Sequence, residues 1–166
     1  MTDFVTATYS ANPVPALIDR RKIYLQAGQL TAVTEPSVII TILGSCVAIC
    51  LWDARLHIGG MNHYMLPFHG KEAGAARFGN VAWEQLLNRL TRLGSLCRDL
   101  RAGIFGGACV METFRNADHI GKRNAELAET LVTQSGVAIV QRDLEGRQGR
   151  KVTFETDTGH VTIRRL

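Results

Sequence analysis

Apolar and polar positions along the chain form many short β-rich runs and two amphipathic helical stretches. Helical spacing of apolar residues predicts one helix from about Asn80 to Leu93, ended by Gly94. A second helix is predicted from about Arg123 to Gln134, followed by Gly136. The run 37–43 is almost continuously β-branched, which predicts a strand buried on both faces. The other predicted strands are 22–25, 30–33, 47–52, 57–66, 100–105, 138–142, 151–156 and 161–164.

The order of these elements is strands, helix, strand, helix, strands. That order predicts the α+β class, a layered α/β sandwich with mixed β-sheets and two main helices. Prolines in Asn12-Pro13-Val14-Pro15 interrupt regular structure, so residues 1–21 are predicted to form a flexible N-terminal tail. Residues 22–166 then form one domain, which is long enough to bury its own core.

Composition narrows the functional classes. Hydrophobic residues make up 46% and charged residues 20% of the chain, as in soluble globular proteins. No apolar run is long enough to span a membrane and no secretory signal opens the chain, so we expect a cytoplasmic protein without direct membrane insertion. The net charge is +4, but the basic residues are dispersed and not interleaved with aromatic ones. This pattern argues against nucleic-acid binding.

The four cysteines do not form a metal-binding pattern. Cys46 and Cys50 are spaced C-x-x-x-C, and no second cysteine or histidine pair stands at zinc-ligand spacing. We therefore expect no metal and no cofactor. Most of the cysteines are expected to be inert buried thiols.

Cys46 is the exception, because it follows Gly44 and Ser45 between two predicted strands. A glycine beside a reactive side chain allows a sharp turn and a close approach to substrate. Backbone N–H groups at such a turn can form an oxyanion hole, and a cysteine whose pKa is lowered there can act as a nucleophile. The simpler alternative is one more buried thiol.

His63 is the candidate base for Cys46. Its strand follows that of Cys46 after a short predicted turn at 53–55, so the two strands are expected to pair. That turn places Cys46 near Asn62, with His63 one residue further on.

Three further sets of residues complete the candidate site. Thr41, on the strand that leads to Cys46, could orient the imidazole of His63. Asn62 is expected on the opposite face and Ser45 is expected to support the turn. Gly106 and Gly107 follow a strand without a complete phosphate-binding motif, so close backbone packing beside the site is favoured. Asn124, near the start of the second helix, either caps that helix or contacts a substrate amide or a partner.

Together these segments resemble the CheD-type chemoreceptor glutamine deamidases. The resemblance rests on the segments 41–48, 60–67, 105–108, 120–124 and 149–152, in this order along the chain. It implies that Cys46, His63 and Thr41 are the catalytic cysteine, histidine and threonine. It also implies hydrolysis of glutamine side-chain amides in receptor cytoplasmic helices, with release of ammonia through a thioester.

The resemblance further implies a CheC-type phosphatase as a binding partner. Two other functions therefore stay open: a docking module for CheC or receptors with little catalysis, and a different cysteine hydrolase such as a peptidase or a transglutaminase-like enzyme.

Overall fold

Nine strands and two α-helices make up the computed structural model, which describes residues 19–68, 75–111 and 118–166. The predicted tail lies mostly outside these residues. The strands are β1 Arg21–Tyr24, β2 Leu30–Val33, β3 Ser37–Leu43, β4 Val47–Asp53, β5 Ile58–Tyr64, β6 Leu100–Gly106, β7 Ala138–Leu144, β8 Arg150–Glu155 and β9 Val161–Arg165. The helices are α1 Gly79–Arg92 and α2 Ile120–Ser135, and a short 3-10 helix covers Cys97–Asp99.

The strands form two mixed sheets. One has four strands in the order β1-β3-β8-β9, and the other has five in the order β2-β5-β4-β6-β7. The pairs β1–β3 and β6–β7 are parallel, whereas the other pairs are antiparallel. Both helices pack on the five-stranded sheet, and the four-stranded sheet packs on its other face. The predicted layered α+β sandwich with two main helices is therefore confirmed.

The helix boundaries follow the sequence signals closely. Gly94 follows α1 with a φ of 100°, and Gly136 ends α2 with a φ of 78°. Both glycines adopt the left-handed conformation that favours glycine at a helix end. The helix α2 begins at Ile120, three residues earlier than predicted, and the side chain of His119 caps it by accepting a hydrogen bond from the N–H of Lys122.

The prediction that β3 is buried on both faces is wrong. Its inner face packs between the sheets, with Ile39 and Leu43 fully buried, but Ile42 on the other face is 61% exposed. Within the described residues both helices pack on the five-stranded sheet, so the outer face of the four-stranded sheet has no helical cover. A run of β-branched residues indicates that a segment prefers to form a strand, but it does not indicate which face of that strand is covered.

The turn between β4 and β5 also differs from the prediction. The strand β4 continues to Asp53 and β5 starts at Ile58, so the turn covers residues 54–57 and includes His57 with a φ of 54°. The register then pairs Ala48 with His63, instead of placing Cys46 beside Asn62. The two strands do pair, as predicted.

The folded domain starts at or before Arg20, within the segment that was predicted to be tail. The Arg20 guanidinium donates to both carboxylate oxygens of Asp157, at 2.7 and 3.0 Å, and β1 begins at Arg21. This ion pair holds the start of the domain to the turn between β8 and β9. No helix in the described part of the chain has the length and apolar character needed to cross a membrane.

Arg150 connects the two sheets at the end opposite that turn. Its fully buried guanidinium donates to the carboxylate and the carbonyl of Asp143 and to the carbonyl of Glu145. Asp143 lies on β7 of the five-stranded sheet, whereas Arg150 begins β8 of the four-stranded sheet. Arg165, which is half exposed, binds the same carboxylate with two bonds of 2.9 Å.

We predict that Arg150→Met destabilises the fold much more than Arg165→Met. Removing the buried cation leaves two carbonyls and part of a carboxylate without their donor, so the free energy of unfolding should fall by about 3 kcal/mol. Loss of the exposed partner should lower it by less than about 1 kcal/mol. Urea unfolding of both variants measures the difference, and equal losses would contradict the connecting role of Arg150.

Candidate active site

The loop between β3 and β4 is fixed through its carbonyl groups. The Gly44 carbonyl accepts from the N–H of Ala108 at 2.9 Å, and the Cys46 carbonyl accepts from the N–H of Gly107 at 2.8 Å. Gly107 and Ala108 follow β6 directly. The segment after β6 therefore anchors the loop that carries Cys46.

Asn124 holds the remaining carbonyl of this loop. Its side-chain N–H₂ donates to the carbonyls of Ser45, at 3.0 Å, and Met65, at 2.9 Å. The hydroxyl of Tyr64 donates to the Asn124 carbonyl at 2.5 Å, and Asn124 is fully buried. Asn124 thus joins the loop before Cys46 to the strand end after His63.

This position of Asn124 contradicts the predictions that it caps the helix or contacts a substrate amide. It is not the helix cap, since His119 has that role. Both N–H groups of its amide are engaged by protein carbonyls, so they are not available to a substrate amide. Its buried Oδ1 has no partner among the described residues.

Gly106 and Gly107 are required by close backbone packing, as predicted. Gly106 has a φ of 112°, and a Cβ there would lie 2.1 Å from the Cys46 carbonyl oxygen. Gly107 has a φ of 70°, and its Cβ would lie 2.7 Å from the carbonyl oxygen of Gly121 in α2. A side chain at either position would push β6 away from the loop or from the helix.

Gly44 does not need the special freedom of glycine that the sequence suggested. Its φ is not in the left-handed region, and a Cβ there would make an ordinary contact of 3.8 Å with Val110. The loop bends because its carbonyls are held, and not because Gly44 adopts a conformation closed to other residues.

Thr41 and His63 are joined across the gap between the sheets. The distance between Thr41 Oγ1 and His63 Nδ1 is 2.8 Å, and Thr41 Oγ1 donates to the Leu25 carbonyl at 2.7 Å. Because the single hydroxyl proton of Thr41 is given to Leu25, its oxygen must accept the bond from His63. The proton of neutral His63 is therefore on Nδ1, and Nε2 carries the free lone pair.

The rest of His63 is held equally firmly. Its carbonyl accepts from the N–H of Gly28 at 2.8 Å, and its N–H donates to the Gln29 carbonyl at 2.9 Å. His63 is 4% exposed, and Nε2 has no protein partner among the described residues. Burial lowers the pKa of His63 to about 4, against a smaller opposing effect of the Leu25 carbonyl. The imidazole is therefore neutral at pH 7 and can accept a proton.

Cys46 lies on the same side of the five-stranded sheet as His63. Ala48 is directly opposite His63, and alternation along the strand puts Cys46, two residues earlier, on the face of Ala48. Cys46 packs against the core between the two sheets, to which Ala48 and Met61 belong. The fold thus places Cys46 and His63 on the face of the five-stranded sheet that packs against the four-stranded sheet and its Thr41, although the sequence-based register was wrong.

The thiol of Cys46 is not activated by its resting environment. Burial raises the pKa of Cys46, and its own backbone N–H lowers it by a smaller amount. The expectation of a lowered pKa is therefore corrected. A neutral thiol and a neutral imidazole suit a reaction in which the proton is transferred as the sulfur attacks.

Asn62 supports the sheet behind the site. Its Oδ1 accepts from the N–H of Ile49 at 2.9 Å, and the residue is fully buried. This bond connects β5 to β4 and does not reach Thr41. Among the described residues no group of three His, Cys, Asp or Glu side chains is placed to hold a metal ion.

Two concavities adjoin the candidate site. One, of about 330 Å³, lies beside α2 and is lined by Ser45, Ala108 and Arg123, among others. The other, of about 530 Å³, lies beside the four-stranded sheet and is lined by Thr41 and His63, among others. Ser45 therefore points to a different concavity from that of the candidate base.

Sequence reasoning missed two contributors to the site. Leu25 acts through its carbonyl, for which a side-chain pattern contains no signal. The hydroxyl of Tyr64 fixes Asn124, and only the packing of α2 against β5 and β4 brings the two together. The glycine pair after β6 was the one visible sign of close packing here.

We predict that His63 makes the protein less stable below neutral pH. Its pKa is about 4 in the folded state and near its ordinary value of 6.5 in the unfolded chain. As the pH falls between these two values, only the unfolded chain gains the proton, so stability is lost, by about 2 kcal/mol at pH 4.5. Urea unfolding at pH 7 and 4.5 should show a smaller loss for His63→Gln than for the native protein. His160→Gln is the exposed control, and an unchanged loss in His63→Gln would contradict the buried neutral state.

We predict that Asn124→Ala alters the reactivity of Cys46, whereas Asn62→Ala does not. Both changes remove a buried hydrogen-bonded amide and should each destabilise the fold by about 2 kcal/mol. Only the first releases the Ser45 carbonyl and loosens the loop, which exposes Cys46 and lowers the pKa of its thiol. The rate of Cys46 alkylation by iodoacetamide as a function of pH measures this effect. Equal profiles for the two variants would show that Asn124 only stabilises the fold.

Comparison with known proteins identifies the family of this chain. Residues 65–165 match the family model of CheD, described as chemotactic sensory transduction. A protein of Anaeromyxobacter dehalogenans named probable chemoreceptor glutamine deamidase CheD 1 is 41% identical over 160 residues, 96% of this chain and 94% of its own length. Proteins named probable chemoreceptor glutamine deamidase CheD are 43% identical in Trichlorobacter lovleyi, over 87% of this chain and 91% of theirs, and 36% identical in Sulfurimonas denitrificans, over 89% and 96%.

The family model begins after Thr41, Cys46 and His63, but the relative from Anaeromyxobacter aligns over nearly the whole chain and so spans these positions. The family match covers more than half of the chain, and three relatives exceed 30% identity over most of their own length. This chain therefore belongs to the CheD family of chemotactic sensory transduction proteins.

Proposed function

We propose that this protein hydrolyses side-chain amides of glutamine residues in the cytoplasmic helices of chemoreceptors, with Cys46 as the nucleophile. The observation that carries this proposal is the fixed tautomer of His63, whose Nε2 is left unprotonated by the chain Leu25–Thr41–His63. A base of this kind beside a thiol is the essential part of a cysteine amidohydrolase. The names of the relatives supply the substrate class.

The first half of the reaction forms a thioester. Nε2 of His63 takes the proton of the Cys46 thiol as the sulfur attacks the amide carbon of glutamine. The C–S bond forms, and the amide C=O becomes an oxyanion. His63 then gives its proton to the departing nitrogen, the C–N bond breaks and ammonia leaves.

The oxyanion is stabilised by the N–H groups of Ser45 and Cys46. In a trans peptide the N–H points opposite to the carbonyl of the preceding residue. The carbonyls of Gly44 and Ser45 point to Ala108 and Asn124, so these two N–H groups point away from β6 and α2. Neither N–H donates to a backbone or side-chain oxygen within the described residues.

The second half of the reaction releases the product. His63 takes a proton from water, whose oxygen attacks the thioester carbon. The C–S bond breaks, the sulfur recovers a proton from His63, and the glutamine has become glutamate. Thr41 keeps the imidazole in the required tautomer throughout, so it is a positioning residue.

We further propose that the protein acts in the cytoplasm and also binds a CheC-type phosphatase. The resemblance of its segments to the CheD-type deamidases supports both points. The rival function is a docking module with little catalysis, and the experiment on Cys46 below separates it from the deamidase.

We expect a receptor cytoplasmic fragment to gain the mass of an amide-to-acid change at glutamine when incubated with the native protein. Cys46→Ala should abolish the change. The control Cys50→Ala removes a buried thiol four residues further along the chain and should retain the change. Thr41→Val should slow the reaction by about 100-fold, because the lone pair and proton of His63 lose their fixed assignment. Thr41→Ser should keep most of the rate.

Peptide mass spectrometry with time resolves these rates. Deamidation by Cys46→Ala at the native rate would contradict the nucleophile. No deamidation by any form, together with CheC binding, would favour the docking module. Cleavage of the fragment or incorporation of an added amine would favour a peptidase or a transglutaminase-like enzyme.

A further inference from the structure

Two of the three proposed catalytic residues line the groove beside the four-stranded sheet. Thr41 and His63 line it, and the N–H groups of Ser45 and Cys46 point away from the opposite concavity at α2. The groove continues over the outer face of the sheet, on which no helix of the described residues packs. There Ile42 is 61% exposed and Tyr24 67% exposed.

Two unpaired cations stand on this face. Lys151 on β8 lies directly opposite Arg164 on β9, and both line the groove. Neither has an acidic partner among the described residues. Like charges directly opposite each other on paired strands destabilise a sheet.

The neighbouring pair of cations shows the contrast. Arg150 and Arg165 are also directly opposite on β8 and β9, but the carboxylate of Asp143 lies between them and binds both. Among the residues that the structure describes, the pair in the groove lacks such an acid and no acidic side chain lines the groove. The concavity at α2, by comparison, is lined by both Asp118 and Arg123.

We propose that this groove binds the receptor helix around the target glutamine, and that Lys151 and Arg164 select acidic side chains on that helix. This inference rests on the proposed function and names its substrate preference: a glutamine with acidic residues on the same helix face. The groove has apolar side chains such as Ile42 between the end lined by His63 and the end with the two cations. Such a surface suits an amphipathic helix with acidic positions.

The spacing of the strands fits such a helix. β8 is next to β3, which carries Thr41, and β9 is next to β8, so the cations lie about 5 and 10 Å across the sheet from β3. Residues three or four positions from a glutamine lie about 5–6 Å along a helix, and those seven positions away lie about 10 Å along it. These positions share one helix face with the glutamine. A helix that crosses the strands can thus place its glutamine at the end of the groove that Thr41 and His63 line, and its acids at Lys151 and Arg164.

The test compares two receptor fragments that differ only near one target glutamine. In one fragment the positions three, four and seven residues away on the cation side are glutamate, and in the other they are lysine. The native protein should deamidate the glutamate fragment about tenfold faster in kcat/KM at low ionic strength, and added salt should reduce this preference. The variant Lys151→Glu with Arg164→Glu should prefer the lysine fragment.

A matched control changes the same charge elsewhere. Arg92→Glu with Arg98→Glu alters two exposed arginines in the layer of helices, and it should keep the native preference. The neutral variant Lys151→Gln with Arg164→Gln should show almost no preference, so the result does not depend on the stability of the reversed variant. Thermal unfolding verifies that each variant is folded.

The outcomes separate this inference from the proposed function. Equal rates on both fragments for the native protein would overturn the inference while the deamidase stands. Deamidation of neither fragment would overturn the deamidase and the inference with it. A loss of self-association in the charge-reversed variant, with its fragment preference unchanged, would assign the groove to a second copy of this chain and overturn the inference.

Discussion

The hydrogen bond between Thr41 and His63 is the interaction on which the site depends. It crosses from one sheet to the other, so it forms only when the two sheets are packed at the correct separation. The Thr41 hydroxyl donates its proton to the Leu25 carbonyl, so in its bond with His63 it can only accept. The proton of His63 is therefore on Nδ1, and Nε2 is unprotonated. A side chain that is common in strands thereby becomes decisive for the protonation state of its neighbour.

The loop that carries Cys46 is positioned by a different means, the engagement of backbone carbonyls. The loop before Cys46 is held by the N–H groups of Gly107 and Ala108 and by the amide of Asn124. The same bonds turn the N–H groups of Ser45 and Cys46 outward, where they can stabilise negative charge on a substrate oxygen. One set of contacts therefore fixes the loop and prepares its electrostatics.

Burial has opposite effects on the pKa of Cys46 and of His63, and both effects favour the neutral form of the side chain. The pKa of the Cys46 thiol is raised and that of the His63 imidazole is lowered to about 4. Such a pair holds no resting thiolate that could react with passing electrophiles. In the proposed mechanism, proton transfer is coupled to attack on a bound substrate, which suits an enzyme that modifies selected residues of a protein.

The sequence by itself determined the elements and led to the hypothesis that Cys46, His63 and Thr41 are the reacting residues. These features depend on residues that are close together in the chain, so a sequence pattern can predict them. They include the strand and helix preferences, the glycines at the ends of α1 and α2, and the position of Cys46 beside a predicted strand pair. The layered α+β class followed from the order of the elements.

Only the tertiary structure decided which of these residues meet, and in which state. The turn covers residues 54–57, which shifts the register from the predicted one. His63 is therefore paired with Ala48, and Asn62 does not lie opposite Cys46. The amide of Asn124 binds the Ser45 carbonyl. In the described part of the chain, the outer face of β3 has no helix on it because both helices pack on the other sheet. Register, carbonyl contacts and desolvation arise between segments that are distant in the chain, so no pattern within one segment could specify them.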